Sequence, residues 1–317
     1  MKLLEPYGDK LRIQSKSTEN QNTTNALILD MNNLCHISHY STGHLSNDDD
    51  RRTGVIFGVF KHFLSLYKKF GTSNFILCWD SRKSYRKLIY PEYKAQRKRN
   101  RTPEQEADRQ FLYEQISCLR SNILPEMGFQ NSFIQTGYES DDLIAKLTID
   151  YKDSNYRFVI VSTDHDLLQL LSKTNVVVYN IIKKEIYTEK RFLDEWGIPP
   201  IEYRSVKSIA GCDSDNIPSI AKGIGEKSAL KFILGQGGDE LNKKIWDNKH
   251  IRELNFKLVA LPFKNEEKPL PQFVIRKNKF QTENFRRWFI KLGFDYFMKN
   301  FNEWEDFIDS CTNSTGK

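Results

Sequence analysis

The residues in this sequence whose types and spacing could do chemistry are carboxylates. The segment RFVIVSTDHD (157–166) is an apolar run fit for a buried strand that ends in Asp164 and Asp166. ALILD (26–30) likewise ends in Asp30, and NFILCWD (74–80) in Asp80. A further group, YESDDL, puts Glu139, Asp141 and Asp142 in the first turn of an expected helix, where residues 139 and 142 share a face. Taken singly, such residues cap helices or complement the helix dipole. Gathered at one place they repel each other unless cations sit among them. Oxygen donors of this kind suit hard divalent ions, Mg²⁺ or Mn²⁺. Two such ions about 4 Å apart can activate a water and stabilise the leaving oxygen of a phosphodiester.

Gathering requires a particular arrangement of elements. From Ala26 on, short apolar runs alternate with amphipathic stretches, the pattern of an α/β fold with a largely parallel central sheet flanked by helices. Strands are expected at 26–30, 74–80, 131–135, 157–162 and 175–180. Helices are expected at 54–70, at about 139–151, and after Thr102, where Pro103 suits the first helical position and Gln105 completes a capping box. Carboxyl ends of parallel strands lie along one edge, the usual place for a ligand. The acids are therefore expected to converge.

Between Asp80 and the helix after Thr102 runs SRKSYRKLIYPEYKAQRKRNR, with Lys or Arg at nine positions against one acid, Glu92. Tyr85, Tyr90 and Tyr93 interrupt the charge, so the stretch can neutralise phosphates and stack on the bases of a single strand. Lys83, Arg86, Tyr93, Lys98 and Arg99 are the contacts expected there, and Lys94 with Arg97 could reach one phosphate together. Beyond Pro199-Pro200 the strand-like runs stop, and KGIGEKSA (222–229) offers Gly223, Gly225, Lys227 and Ser228 at a helix start. Such a turn can present backbone N–H groups to a duplex phosphate; it lacks the spacing of a Walker A loop.

Bulk properties narrow the class. The 317 residues carry 48 Lys+Arg and 41 Asp+Glu, a net +7 that suits a polyanionic partner. Five cysteines without a CxxC pair favour neither a zinc ribbon nor a disulfide framework. Residues 1–25 read as a polar extension, and no apolar run is long enough to span a bilayer.

The ordered set LDMNN, WDSRKSYRKLIYPEYKAQR, YESDDLIA, VSTDHDLLQL and AGCDSDNIPSIAKGIGEKSA resembles the 5′-nuclease (flap endonuclease) family, which includes bacteriophage 5′-exonucleases and the 5′-nuclease domain of bacterial DNA polymerase I. The resemblance covers about 26–235. It implies a PIN-like core over 26–200 with a helical arch at about 82–110. A helix-hairpin-helix region would follow over 201–260. Outside the resemblance, the Phe- and Trp-rich residues 261–317 are themselves expected to form a C-terminal helical region with a short disordered tail. It also implies structure-specific hydrolysis of 5′ branches and 5′ ends on DNA and on RNA paired to DNA, as flap endonuclease and 5′-3′ exonuclease, in replication primer removal. The metal acids would be Asp30, Asp80, Glu139, Asp141, Asp142, Asp164, Asp166 and Asp215, holding two Mg²⁺ or Mn²⁺ ions. Lys94 and Arg97 would be catalytic, and the hairpin could hold K⁺ through backbone carbonyls.

One position departs from the pattern. The family's GDxxDN places an Asp at 212, where this chain has Cys212 followed by Asp213, so Asp213 is expected to take over as ligand. Ser219 stands where the family's hairpin usually has Gly. The chain is expected to be a stand-alone monomeric nuclease in the cytoplasm of a bacterium or phage-infected cell. Its alternatives are a non-catalytic branched-DNA binder of the same fold and a ribonuclease with the same carboxylate edge.

Overall fold

The structure, a computed structural model, describes residues 24–98, 102–172 and 175–312. A six-stranded sheet runs through its centre: β1 (Thr24–Asp30), β2 (Phe75–Trp79), β3 (Ser132–Ile134), β4 (Tyr156–Val161), β5 (Val176–Asn180) and β6 (Glu185–Tyr187). The spatial order is β3-β2-β1-β4-β5-β6, parallel throughout except for β6, which pairs antiparallel with β5. β1 is central, and its two neighbours, β2 and β4, are reached by connections that run to opposite sides. This is the switch point at which parallel sheets form their ligand crevice.

Register aligns the carboxyl ends of these three strands. Asp30 pairs with Cys78, two residues before Asp80, and Leu29 pairs with Val161, three before Asp164. Both faces of β1 are covered, Leu27 and Leu29 in one apolar cluster and Ala26 and Ile28 in the other. That burial explains why the strand reads as a continuous apolar run. The short β6 has no such signature, and its sequence predicts no strand.

The helices in chain order are α1 (Met31–Thr42), α2 (Gly54–Phe70), α3 (Arg86–Ile89), α4 (Pro103–Cys118), α5 (Leu124–Met127), α6 (Ser140–Asp150), α7 (Glu189–Trp196), α8 (Tyr203–Ala210), α9 (Glu226–Ile233), α10 (Asp239–Asp247), α11 (Lys249–Val259), α12 (Thr282–Leu292), α13 (Asp295–Lys299) and α14 (Asn302–Thr312). Thr102 and Gln105 form the reciprocal capping box at the start of α4, with Pro103 at the helix start. Asp108 then ties α4 to α1 and the turn before α2, accepting from Arg52 at 2.7 Å and pairing with His39 at 2.8 Å. The segment that leads from β2 to α4 is thereby held at its far end.

The region from 261 to 281 carries no helix. Pro262, Pro269 and Pro271 lack the N–H that a helix interior requires. The segment instead runs as a strap outside β3: Asn131 exchanges hydrogen bonds with Arg276 backbone, and Tyr138 donates to the Lys268 carbonyl. Phe263 and Phe273 from the strap are buried in the same cluster as α6 and β4.

The aromatic-rich end packs on the opposite face. Trp304 of α14 is fully buried, with ring centroids 5.6 Å from Phe60 of α2 and 5.0 Å from Phe289 of α12. This is core rather than an appendage. Trp304→Ala is therefore expected to lower unfolding free energy by ~3–5 kcal/mol, read as a lower urea midpoint with unchanged slope. A loss below about 1 kcal/mol would detach α12–α14 from the core that carries the sheet.

Candidate active site

The carboxyl edge of the sheet collects acids from four segments. Asp30 closes β1 and caps α1, accepting from the Asn33 N–H at 3.2 Å. Its two carboxylate oxygens also accept from hydroxyls, Ser140 Oγ on one and Ser162 Oγ on the other, each at 3.0 Å. Asp80 follows β2; it accepts from the Ser140 N–H at 2.8 Å, while its own N–H donates to Asn32 Oδ1. Asp141 enters from the first turn of α6. Asp164 enters from the loop after β4, which is shaped by hydrogen bonds from Asp164 N–H to Ser162 Oγ and from Asp166 N–H to Asp164 Oδ1.

The electrostatics show how closely these groups crowd. Burial, and then the charge of Asp80, push the Asp30 carboxyl up to about 7. Asp80 is raised by burial and by Glu139. Asp141 stands well above the carboxylate range because of burial, with Asp164, Asp30 and Asp80 as further causes. One of its oxygens, Oδ1, is buried without any hydrogen-bond partner. Among the described residues no ion pair reaches Asp30, Asp80, Asp141 or Asp164, whereas the flanking acids have cations. An orphaned carboxylate oxygen amid three other repelling acids fits a divalent cation, which would supply the missing positive charge.

The flanks are different. Glu139, the N-cap residue of α6, would be raised by burial, but Lys94 and Arg86 hold its carboxyl down at about 2. Lys94 Nζ lies 2.8 Å from Glu139 and 3.7 Å from Asp215. Arg97 donates to Asp215 at 2.8 Å. Both cations thus sit on the rim of the acids, and the chain between them is bonded to the 213–216 turn. Lys94 N–H donates to the Asp215 carbonyl, and Gln96 to the carbonyls of Asp213 and Ser214.

Three expectations change. Asp142 is not available to an ion: Arg86 grips both its oxygens at 2.7 and 2.8 Å, and the N–H groups of Phe263 and Glu139 donate to them as well. Arg86 is correspondingly buried and holds the Leu258 carbonyl with Nε, so it is a core ion pair rather than a phosphate contact. Tyr93, expected to stack on bases, is 2 % exposed, packs with Ile217, Leu258 and Val259, and donates to Glu139 at 2.9 Å and to Asp215 at 3.1 Å. Alternation of basic and aromatic residues in sequence could not separate these inward residues from outward ones.

The position after Gly211 also departs from expectation. Asp213 is exposed, and the group that closes around a common point is Asp166, Cys212 and Asp215, with one donor atom from each lying within 4.8 Å of the others. Gly211 makes this turn possible: its φ is +75°, and a Cβ there would meet the Ile217 carbonyl at 2.5 Å. Lys207 of α8 pairs with Asp166 at 3.1 Å. Burial and Asp164 push Asp166 up, to about 6, and Lys207 opposes them. Neither Lys207 nor the hydroxyls of Ser140 and Ser162 was read as part of the site. The serines stand beside the acids in YESDD and VSTD, whereas a lysine on α8 has no local signal.

Of the expected nucleic-acid contacts, Lys83 and Lys227 are exposed, and Ser228 lies in the first turn of α9. Around Gly223 (φ +82°) and Gly225, an added Cβ would meet nothing within 4 Å. Gly225 has an ordinary extended backbone, so the open space beside it leaves room for an approaching group. Lys98 ends a short 3-10 turn, and Arg99 lies outside the described residues.

This edge, on a mostly parallel sheet flanked by helices, defines a nuclease of the PIN-like, resolvase-like class. Residues 25–197 match the family described as 5′-3′ exonuclease, N-terminal resolvase-like domain. A 5′-3′ exonuclease of Buchnera aphidicola is 32% identical over 241 residues, 75% of this chain and 77% of that protein. One of Aquifex aeolicus is 31% identical, covering 74% and 80%. Among solved structures, the D15 protein of T5 co-crystallised with metal ions superposes with a TM-score of 0.65 at 22% identity, over 75% of this chain and 90% of that one. Flap endonuclease-1 of Methanococcus jannaschii gives 0.56 at 17% identity, over 92% and 93%. The chain belongs to the 5′-3′ exonuclease family and is an enzyme of that family.

Two outcomes check this geometry. Because Asp30 and Asp166 bind protons more tightly folded than unfolded, metal-free protein should lose stability as pH rises from about 4 to about 7. Asp30→Asn should flatten that slope and raise the melting temperature in EDTA at neutral pH; an unchanged slope would deny the crowding. Arg86→Gln should cost ~3–5 kcal/mol of stability by leaving Asp142 uncompensated, in urea denaturation, without altering the salt dependence of DNA binding.

Proposed function

We propose that this protein hydrolyses phosphodiesters at 5′ branches and 5′ ends of DNA, and of RNA primers paired to DNA, using two divalent cations, Mg²⁺ or Mn²⁺. The observation that carries the reading is the uncompensated acid group Asp30–Asp80–Asp141–Asp164 beside the paired cations Lys94 and Arg97. Asp30, Asp80, Asp141 and Asp164 would hold one ion, with Glu139 at its edge; Asp166, Asp215 and the 212 position would hold the other. Ions there would activate water and stabilise charge on the departing oxygen.

The rest belongs to the chain. Lys94 and Arg97 bridge to Glu139 and Asp215 and carry the positive charge that a scissile phosphate needs. They would exchange carboxylate partners for phosphate oxygens when a strand enters. Tyr93 keeps Glu139 and Asp215 oriented through its hydroxyl. Lys83, Lys98 and Arg99 would guide the single strand, and Gly223, Gly225, Lys227 and Ser228 would hold the duplex behind it. Potassium at this hairpin is carried by the family resemblance alone. The named activity of the bacterial relatives, 5′-3′ exonuclease, supports the polarity. Work in primer removal, by a monomer in the cytoplasm of a bacterial or phage-infected cell, completes the reading.

With a 5′-labelled flap duplex, Mg²⁺ or Mn²⁺ should give products near the branch, and EDTA should give none. Asp80→Ala should abolish cleavage while largely preserving DNA affinity; substantial residual activity would remove Asp80 from the ion site. Lys94→Ala should slow single-turnover cleavage ~10²-fold or more with little change in binding, and equal losses in both would make it a docking contact. Lys227→Ala should reduce the salt slope of duplex binding by about one unit.

A further inference from the structure

The Asp166–Cys212–Asp215 group differs from the rest of the acid edge in one donor atom. An oxygen of each aspartate and the Cys212 Sγ lie within 4.8 Å of one another. Donor atoms on one cation stand about 3–4 Å apart, so small side-chain rotations bring all three onto a single ion. Asp166 comes from the segment after β4, whereas Cys212 and Asp215 share one turn, in which the Asp215 N–H donates to the Cys212 carbonyl at 3.1 Å. Asp166 is held by Lys207 at 3.1 Å, and Asp215 by Tyr93 at 3.1 Å and Arg97 at 2.8 Å. Cys212 sits in a two-way backbone bridge with Ile217, N to O at 2.8 Å and O to N at 2.9 Å. Its side chain is partly exposed, with Sγ 3.1 Å from Ser214 Oγ, whereas Cys35, Cys78 and Cys311 are buried.

We propose that this group is a mixed thiolate–carboxylate cation site that prefers Zn²⁺, Co²⁺ or Cd²⁺ to Mg²⁺. The all-oxygen group Asp30–Asp80–Asp141–Asp164 beside it keeps the preference for hard ions. Mg²⁺ takes oxygen ligands and parts reluctantly with its waters, while thiolate selects softer ions. Binding releases one proton, from the Cys212 thiol to solvent, as the sulfur–metal bond forms. The inference rests on the nuclease reading for the presence of ions and revises it at one point, placing a softer ion than Mg²⁺ at the Asp166–Cys212–Asp215 half of the site. Asp213, exposed one residue further on, does not restore an oxygen-only site.

The test uses the full chain, reduced and freed of metal, titrated with Cd²⁺ while the ultraviolet thiolate-to-cadmium charge-transfer band is followed, with calorimetry in parallel. Wild type should develop the band to saturation at one ion per chain. Cys212→Ser should lose the band yet still bind an ion at the oxygen group. Cys212→Asp should lose the band and gain roughly tenfold in Mg²⁺ affinity relative to Cd²⁺ at this position. A band that persists in Cys212→Ser would overturn the proposal, because another cysteine would be the donor. So would calorimetric Cd²⁺ binding to wild type without the band, in a protein that still cleaves flap DNA with Mg²⁺. Absence of any ion binding together with absence of metal-dependent cleavage would overturn both this proposal and the nuclease reading.

Discussion

Like charges brought to one sheet edge are the constraint on which the rest of this structure depends. The topology itself forces the encounter: β1 lies between β2 and β4, β1 ends in Asp30, Asp80 follows β2 directly, and Asp164 lies three residues beyond the end of β4. The first turn of α6 adds Asp141 to the same place. Folding alone therefore builds a concentration of negative charge that raises the affinity of these carboxyls for protons. Removing the charge would relax the fold, and keeping it is informative because structure alone gains nothing from it.

The chain balances the periphery and leaves the centre open. Arg86 neutralises Asp142 in the core, Lys94 neutralises Glu139, Arg97 neutralises Asp215, and Lys207 opposes the charge on Asp166. Their roles differ with burial. Arg86 is locked by two carboxylate contacts and a backbone carbonyl, so it stabilises the joint between α3, α6 and the end of α11. Arg97 is half exposed, at 51 %, and its partners, Asp215 and the Ser214 carbonyl, belong to one surface turn. One basic stretch thus supplies both a structural rivet and, in Lys94 and Arg97, cations on the rim of the acids.

That distinction marks the limit of what was legible in the sequence. Strand ends at Asp30, Asp80 and Asp164 could be read because fully buried parallel strands are unbroken apolar runs, and an abrupt acid at their end has few other reasons to be there. The capping box at Thr102 and Gln105 was equally plain, since it depends on local spacing. Arg86 and Tyr93 were read as outward because nothing within a few residues reports the distant Asp142, Leu258 and Ile217 that enclose them. Lys207 and the 261–281 strap were invisible for the same reason. Cys212 was noticed as a departure, but which neighbour filled the place depended on the turn set by Gly211 and Ile217.

If this edge holds divalent cations, bound ions should be visible at it. Diffraction from crystals grown with Mn²⁺, recorded at an energy where manganese scatters anomalously, tests this directly. Anomalous density is expected at the carboxyl ends of β1, β2 and β4, bounded by Asp30, Asp80, Asp141 and Asp164, and it should be lost in Asp141→Asn. An edge without density in a protein that still cleaves flap DNA with Mn²⁺ would contradict cation binding there.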